Sequence, residues 1–185
     1  MKILVTGAGG MLGRAVVEHC GGRGDEVLGL DRASLDISDA AAVREALERA
    51  RPDAVVNCAA WTDVDGCELD PHRAQEANAT GPENLAAGCR AVGASLVTVS
   101  TDYVFDGRKE GFYTQRDDPN PLSVYAFTKL KGERRAQVAS ARTVVVRTGW
   151  IFGAGGRNFL SRVVELGRAG APLKAITDAY GTPTY

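Results

Sequence analysis

The sequence lacks several features that would place it in a specialised class. It has no large charge of one sign, because 22 Lys and Arg balance 23 Asp and Glu, so the composition does not indicate nucleic acid or an anionic membrane as a partner. It has no apolar run long enough for a signal sequence or a membrane span, even in the opening "KILVTG". Internal repeats, low-complexity tracts and Pro/Ser-rich linkers are also absent. These absences leave a globular protein, for which we expect a cytoplasmic location.

Cysteines are few and are not spaced for a disulfide framework or a metal site. The four, Cys20, Cys58, Cys67 and Cys89, contain no CxxC pair and lie in apolar or helical patterns. We therefore expect free, buried thiols in a reducing compartment, and we predict no metal site.

Short β-branched segments alternate with segments of helical period along the chain. The predicted strands are residues 3–6, 27–30, 54–58, 96–99, 143–147 and, more weakly patterned, 173–177. Apolar strands separated by helices indicate a parallel sheet that is covered on both faces. The fold class is therefore α/β, a doubly wound parallel sheet with helices on both faces, and ligands bind such a sheet at the carboxyl ends of its strands.

The helical patterns lie between these strands. Ser38 is the predicted N-cap of a helix whose buried face carries Val43, Ala46, Leu47 and Ala50. Further helices are predicted over residues 73–92, with an interruption near Gly81 and Pro82, and over residues 124–138 and 158–168.

A glycine-rich turn follows the first strand in "TGAGGMLGRAVV". Gly7, Gly10 and Gly13 form a G-x-x-G-x-x-G pattern between a strand and a helix. Glycines let the backbone approach a pyrophosphate closely, and the N-terminus of the helix favours its negative charge. Glycine turns also serve packing alone, but the strand–turn–helix context predicts dinucleotide binding in a Rossmann-like fold.

Acidic residues follow the second strand at the distance that this motif requires. Asp31 lies about 20 residues beyond the glycines and can accept hydrogen bonds from the adenosine ribose, which favours NAD. The adjacent Arg32 could instead pair with a 2′-phosphate, so the choice between NADH and NADPH stays open. Asp36 and Ile37 offer a polar edge and an apolar face to an adenine.

Two small residues, Ala59 and Ala60, follow the third strand. They allow a flat ligand to approach the backbone closely, although a tight turn alone would also explain them. Their place after a strand on the proposed cofactor side favours a contact with the cofactor.

Tyr125 and Lys129 are one helical turn apart in "SVYAFTKLKGE" and therefore share a helix face. A tyrosine phenol titrates near pH 10, and a neighbouring ammonium would favour the phenolate and lower that pKa. Y-x-x-x-K is common by chance, with a surface lysine beside a core tyrosine as the alternative. The pair becomes informative only beside the glycine turn and Asp31.

In combination these motifs resemble the extended short-chain dehydrogenase/reductase superfamily. The resemblance implies that Thr101, at the end of the fourth strand, hydrogen-bonds the reacting carbonyl and that Tyr125 is the general acid. Lys129 would hold the nicotinamide ribose and tune the tyrosine. Asn78 in "NATGPENL" matches the helix asparagine that supports this active site in many members.

Longer segments resemble one branch, the dTDP-4-dehydrorhamnose reductase family. They are "VNCAAWTDVDGCE", "NATGPENLA", "VSTDYVFDG", "VYAFTKLKGE", "VVRTGWIFGAGGRNF" and "TDAYGTPTY", and they follow the order and spacing of the family. The resemblance implies that NADPH or NADH reduces C4 of dTDP-4-dehydro-L-rhamnose while Tyr125 protonates the forming alkoxide and Thr101 polarises the carbonyl.

The same resemblance implies two sets of binding residues. The substrate set consists of Thr101, Asp102, Tyr103 and Trp150, with aromatic core packing as the alternative for Tyr103 and Trp150. The cofactor contacts carried over from the family are Gly10, Met11, Leu12, Asp31, Asp36, Ile37, Ala60, Trp61, Thr62 and Val99, in addition to Tyr125 and Lys129.

Two departures from the family pattern limit what the resemblance implies. Members usually continue for about a hundred residues that complete a substrate domain, so we expect residues 1–150 to form an NAD(P)-binding domain and residues 151–185 part of a substrate-binding region. Some members also carry a glutamate after the third glycine in a magnesium-linked dimer, where this chain has Arg14 and Ala15.

Two rival functions remain open at the level of sequence. One is a reductase of another dTDP-4-keto-deoxysugar, because the same three catalytic residues serve many 4-keto sugars. The other is a non-catalytic NADP-binding regulatory protein, since the regulatory subunit of methionine adenosyltransferase is similar across this fold. We expect a dTDP-sugar as ligand and no nucleic-acid or membrane partner. The sequence is compatible with a homodimer.

Overall fold

A parallel five-stranded sheet forms the centre of the molecule, and the computed structural model describes residues 1–156, 158–174 and 181–185. The strand order is β2-β1-β3-β4-β5, and every neighbouring pair is parallel. This confirms the doubly wound α/β prediction. The strands are β1 (Lys2–Thr6), β2 (Glu26–Leu30), β3 (Ala54–Asn57), β4 (Ser95–Thr101) and β5 (Thr143–Thr148).

Helices connect the strands and cover the sheet. They are α1 (Met11–Gly22), α2 (Ala40–Ala50), α3 (Val64–Leu69), α4 (Pro71–Gln75), α5 (Gly81–Val92), α6 (Val124–Ala139) and α7 (Phe159–Arg168). A π-helical turn, Glu76–Thr80, joins α4 to α5, and a short 3₁₀ turn, Asp102–Val104, follows β4. Among the described residues, no helix is both long and apolar enough to cross a membrane.

The predicted helix over residues 73–92 is continuous but changes its winding. The chain passes from α4 through the π-helical turn into α5. The predicted interruption therefore takes the form of a widened turn immediately before Gly81. Pro82 lies in the first turn of α5, directly after the π-helical turn.

The predicted cap of α2 is wrong by one residue. The carboxylate of Asp39 accepts from the N–H groups of Ala41 (2.9 Å) and Ala42 (3.0 Å) and caps the helix. The hydroxyl of Ser38 instead donates to Asp36 at 2.7 Å, so it is already engaged outside the helix. The buried face of α2 is the predicted one, namely Val43, Ala46, Leu47 and Ala50.

The main apolar core lies between the sheet and helices α2 and α5. Leu4, Val55 and Leu96 extend from neighbouring strands, and Leu47 and Leu85 pack on them from the two helices. Each of these five side chains is fully buried. This packing joins the sheet to α2 and α5.

The predicted sixth strand is not formed over the part of it that the structure describes. Residues 173 and 174 are irregular and exposed, and residues 175–177 lie outside the described residues. Positions 177–180 of the matching segment "TDAYGTPTY" also lie outside them. After β5 the chain continues to Ile151, which forms an isolated parallel bridge with Thr184.

The cysteines are free thiols, as predicted, but only two of the four are buried. Cys67 and Cys89 are buried, whereas Cys20 and Cys58 are partly exposed. Burial raises the pKa of Cys58 to about 11 and that of Cys89 to about 12, so both stay protonated at neutral pH.

Candidate active site

A cleft of about 480 Å³ opens at the carboxyl ends of β1, β2 and β3. This volume is in the range of ordinary small-molecule sites. The cleft brings together the following predicted residues: Gly7, Gly10, Asp31, Arg32, Asp36, Ile37, Ala59, Ala60 and Trp61. The remaining cofactor candidates are not among its lining residues: Met11, Leu12, Gly13, Thr62, Val99, Tyr125 and Lys129.

The glycine turn brings the ends of β1 and β3 into direct contact. Gly7 has a φ of +68°, and a Cβ there would lie 2.7 Å from the backbone nitrogen of Ala59. A Cβ on Gly13 would collide with the carbonyl oxygen of Gly7. Gly10 caps α1 and donates its N–H to the same carbonyl at 3.0 Å. Gly13 therefore has a packing role, and the turn exposes the N-terminus of α1 to the cleft.

Asn57, which sequence reasoning missed, holds the turn after β3 in place. Its carboxamide oxygen accepts from the Thr6 hydroxyl (2.7 Å) and from the N–H of Ala59 (3.0 Å). Its amide donates to the hydroxyl of Thr98 at 3.0 Å. This buried polar row crosses β1, β3 and β4 beneath the cleft. In the sequence, an asparagine at a strand end does not reveal partners that lie on two other strands.

Two carboxylates on the β2 side of the cleft are held by neighbouring serines. Asp31 accepts from the hydroxyl (2.7 Å) and N–H (2.9 Å) of Ser34, and these bonds, the hydroxyl first, lower its pKa. Asp36 accepts in the same way from Ser38, which lowers its pKa. Arg32 is largely exposed, with its guanidinium 4.0 Å from Asp36. Asp31 is therefore an ionised hydrogen-bond acceptor. Arg32 lines the same side of the cleft.

The lining of the cleft includes an arginine that was not predicted. The guanidinium of Arg73, on α4, lies 4.2 Å from the ring centroid of Trp61, a cation–π geometry. Arg73 was hidden in the sequence because it occupies an ordinary position of a helical pattern. The other lining residues that were not predicted as cofactor contacts are Gly9, Ala33, Leu35, Ser38, Cys58, Glu76 and Ala77.

Asn78 connects the cleft to α6. It lies in the π-helical turn, where its side-chain oxygen accepts from the N–H of Trp61 (2.8 Å) and its amide donates to the carbonyl of Trp61 (2.9 Å). The same amide lies 3.4 Å from the hydroxyl of Thr128, which itself donates to the carbonyl of Tyr125. Asn78 therefore fixes the loop after β3 relative to α6.

The three predicted catalytic residues are buried on β4 and α6. Thr101 ends β4, Tyr125 lies in the first turn of α6, and Lys129 follows one turn later. They are buried, with 7%, 8% and 6% of their surface exposed. Ser123 caps α6 by accepting from the N–H of Ala126 at 3.2 Å, which fixes where the helix begins and hence where Tyr125 lies.

The titration of the tyrosine differs from the prediction. Burial raises the pKa of Tyr125, the charge of Asp102 raises it further, and hydrogen bonding with Thr101 opposes both effects. Lys129 was predicted to lower this pKa, which is wrong for this structure. The Lys129 ammonium instead donates to the carbonyl of Val99 at 2.7 Å, and burial lowers its own pKa to about 8.

Three of the four predicted substrate residues border Tyr125. Tyr103 lies edge-on to it, with ring centroids 6.1 Å apart, and is 45% exposed. Asp102 is half-buried, which raises its pKa, and its carboxylate lies 3.3 Å from the Thr101 hydroxyl. A Cβ on Gly149 would collide with that carboxylate, so the chain after β5 reaches the same place.

Trp150 follows Gly149 and has an unusual backbone conformation. Its φ is +45°, a strained value for a bulky residue. Its ring packs edge-on against Phe159 of α7 at 5.3 Å and remains 39% exposed. Strain at a partly exposed aromatic residue beside a polar cluster favours a binding role over core packing.

The whole chain matches a known family model, and several curated relatives are named as reductases of dTDP-sugars. The model of the RmlD substrate binding domain matches residues 1–185. A dTDP-4-dehydrorhamnose reductase of Streptomyces griseus is 45% identical over 98% of this chain and 60% of the relative. A dTDP-4-keto-6-deoxy-D-glucose reductase of Streptomyces niveus is 38% identical over 98% of this chain and 64% of the relative.

A solved structure has the same fold. It is the dTDP-4-dehydrorhamnose reductase of Bacillus anthracis in complex with NADP, with a TM-score of 0.88 and 33% identity. The match covers 91% of this chain and 60% of that one. The chain thus spans about 60% of the length of the relatives that it matches.

Proposed function

The chain belongs to the dTDP-4-dehydrorhamnose reductase family, and on that premise we propose that it reduces the C4 keto group of dTDP-4-dehydro-L-rhamnose to dTDP-L-rhamnose with NADPH or NADH. One observation carries the proposal. Thr101, Tyr125 and Lys129 are buried together at the sheet edge, next to a cleft that is built around a glycine turn. A hydride acceptor between cleft and tyrosine would be close to both a cofactor and a proton donor.

The cleft fits a nicotinamide dinucleotide. The glycines at positions 7 and 13 allow a tight turn that leaves the N-terminus of α1 open to the cleft. A pyrophosphate binds well to such a helix end. The ionised Asp31 would accept the ribose hydroxyls, while Ala59 and Ala60 let the ligand lie against the backbone. When bound, the reduced cofactor supplies the hydride. The Bacillus anthracis relative in complex with NADP supports NADPH as one cofactor.

The proposed catalytic residues would donate the proton, hold the carbonyl oxygen and bind the nicotinamide ribose. Tyr125 keeps its proton at neutral pH because burial and Asp102 raise its pKa, so it can donate to the forming alkoxide. The Thr101 hydroxyl would hold the carbonyl oxygen. Because that oxygen gains negative charge during reduction, the hydrogen bond strengthens in the transition state. Lys129 would bind the nicotinamide ribose.

We also propose a division of the chain. Residues 1–150 would bind the cofactor, and residues 151–185 would contribute to a substrate region with Asp102, Tyr103 and Trp150 as contacts to the sugar nucleotide. The exposed rings of Tyr103 and Trp150 support this, because both lie near the polar side chains of Thr101 and Asp102. Since the chain spans about 60% of its relatives, affinity for the sugar nucleotide should depend on residues beyond this region.

The test is turnover with defined substrates. The protein is mixed with NADPH or NADH and dTDP-4-dehydro-L-rhamnose, and cofactor oxidation is followed by absorbance. A matched reaction contains a different dTDP-4-keto-6-deoxysugar, since the Streptomyces niveus relative carries that kind of activity in its name. Faster turnover of the second sugar would redirect the proposal to it. Tight cofactor binding without turnover of any 4-keto sugar would favour a regulatory protein.

A further inference from the structure

A buried ion pair lies one helical turn beyond Lys129. The carboxylate of Glu133 is joined to Arg147 of β5 by two bonds, Nε to Oε1 at 3.0 Å and Nη2 to Oε2 at 2.6 Å. The Glu133 side chain is only 5% exposed and that of Arg147 27%. Because a fork-shaped pair of bonds fixes both groups in one plane, Glu133 has little freedom to turn elsewhere.

Arg147 is itself held from its other side. Its guanidinium carbon lies 5.0 Å from the ring centroid of Phe105, and that ring stacks on Tyr113 with centroids 4.3 Å apart and planes at 13°. The hydroxyl of Tyr113 donates to Asp106 at 2.8 Å. The loop after the 3₁₀ turn therefore braces the ion pair, which gives Phe105 a role beyond loop packing.

The Lys129 ammonium needs a compensating charge, because burial disfavours its charged form. From β4 it receives only a neutral partner, the carbonyl of Val99. The charged groups that favour its protonation are Glu133 on its own helix and, to a lesser extent, Cys58 at the end of β3. The Cys58 thiol is neutral at pH 7 because its pKa is about 11. Glu133 is buried one helical turn from Lys129 on α6 and is therefore the remaining countercharge.

We propose that Glu133, held in place by Arg147, is a positioning residue that keeps the buried Lys129 ammonium charged. Its significance for catalysis rests on the proposed reductase function, in which Lys129 binds the nicotinamide ribose. The charge relationship itself concerns this chain alone and is measurable without substrate.

The direct test is an NMR titration of protein carrying ¹³C at the lysine side-chain ends. The five lysines are Lys2, Lys109, Lys129, Lys131 and Lys174, and the signal missing from K129R identifies Lys129. In the wild type we expect its midpoint at pH of about 8. In E133Q the midpoint should fall by about one pH unit, so that the ammonium fraction at pH 8 drops from about one half to about one tenth.

A matched control lies on the same helix. Arg135 of α6 pairs with Glu83 of α5 at 2.9 Å, and both side chains are partly exposed. E83Q therefore removes one carboxylate from an ion pair of α6 that does not act on Lys129. It should leave the Lys129 midpoint unchanged. An equal shift in E83Q and E133Q would mean that general charge, rather than Glu133, sets the protonation, and would overturn the proposal.

A second variant addresses loss of folding. E133Q leaves Arg147 without its counter-ion and can destabilise the protein, whereas E133L/R147M replaces both charges by apolar groups of similar size. The reference for the double variant is R147M, which removes the Arg147 charge alone. If the folded double variant and R147M have the same Lys129 midpoint, the proposal is wrong. A lower midpoint in the double variant than in R147M supports it.

Turnover then separates this proposal from the reductase function. In an active wild type, the limb of the pH–rate profile that reports Lys129 should move to lower pH in E133Q and not in E83Q. If the wild type has no reductase activity while the Lys129 midpoint still depends on Glu133, the proposed function fails and the charge relationship stands. A turnover loss in E133Q that is equal at every pH would indicate a structural role only.

Discussion

The cleft at the ends of β1–β3 and the cluster at the end of β4 lie side by side but are built differently. The cleft consists of backbone, small residues and exposed carboxylates, with Gly7 and Ala59 in direct contact. The cluster consists of buried titratable groups, among them Tyr125 and Lys129. The shape of the cleft follows from steric rules that act locally. The protonation of the cluster follows from burial and from charges on other elements.

The largest expected effect belongs to the cluster. Replacing Tyr125 by Phe removes the proton donor and should reduce turnover by about 100- to 10,000-fold. Cofactor affinity, measured by fluorescence titration, should change by less than about twofold because the cleft lining does not include Tyr125. An equal loss of cofactor affinity would show that the two regions are not separable.

In the cleft, the largest effect should come from a steric clash that lowers the stability of the fold. Gly13→Ala places a Cβ against the Gly7 carbonyl oxygen and should lower the free energy of unfolding by about 3 kcal/mol. Gly21→Ala is the matched control in the same helix, where a Cβ meets no atom within 4 Å. It should be neutral or stabilising by under about 1 kcal/mol. Urea denaturation measures both, and equal effects would contradict the steric role of Gly13.

The buried Lys129 should also change how the free energy of unfolding depends on pH. Lys129 has a folded-state pKa of about 8, against 10.5 for a fully solvated lysine, so the unfolded chain binds more protons between these values. Stability therefore rises with pH across that window, and the unfavourable contribution is fully present below pH 8. Relative to K129M, we expect the wild type to gain about 2 kcal/mol from pH 7 to pH 10.

The comparison with K129M is necessary because other groups titrate in the same range. The raised pKa of Cys58 lowers stability as the pH increases through the unfolded-state value, which opposes the effect of Lys129. Cys58 is present in both proteins, so its own part largely cancels in the difference. A difference that stays flat from pH 7 to pH 10 would mean that Lys129 is not desolvated.

The smallest expected effect concerns the wall of the cleft that the sequence did not reveal. Arg73→Ala removes the guanidinium beside Trp61 and should weaken dinucleotide binding by about fivefold to tenfold, with a reduced dependence on salt. Arg44→Ala on α2 is the control, because Arg44 is exposed and is not a lining residue. Unchanged affinity in Arg73→Ala would limit Arg73 to covering the tryptophan ring.

The same contrast explains how much the sequence could predict. Gly7, Gly10 and Asp31 line the cleft, whereas Gly13 packs beneath it. Local spacing determines where these residues lie along a strand and turn. Tyr125 and Lys129 were placed on one buried face, but the predicted effect of one on the other was wrong. That effect depends on where the ammonium points, which the carbonyl of Val99 decides from another strand.

The residues that sequence reasoning missed share this dependence on distant elements. Asn57 contacts two other strands, and Glu133 was one unremarked position of a helical pattern. The misplaced cap of α2 has a more local cause, since Ser38 and Asp39 are both good caps and only the bond from Ser38 to Asp36 distinguishes them. Competition between adjacent residues of similar propensity is therefore decided by their neighbours.

The π-helical turn at Glu76–Thr80 has a consequence for the register of the chain. A π turn holds one residue more than an α turn, so it shifts everything before it by about 100° of rotation relative to α5. Deleting one residue there would restore regular winding, yet it would rotate Asn78 away from Trp61 and break both of their hydrogen bonds. In this segment the number of residues is as much a determinant of the site as their identity.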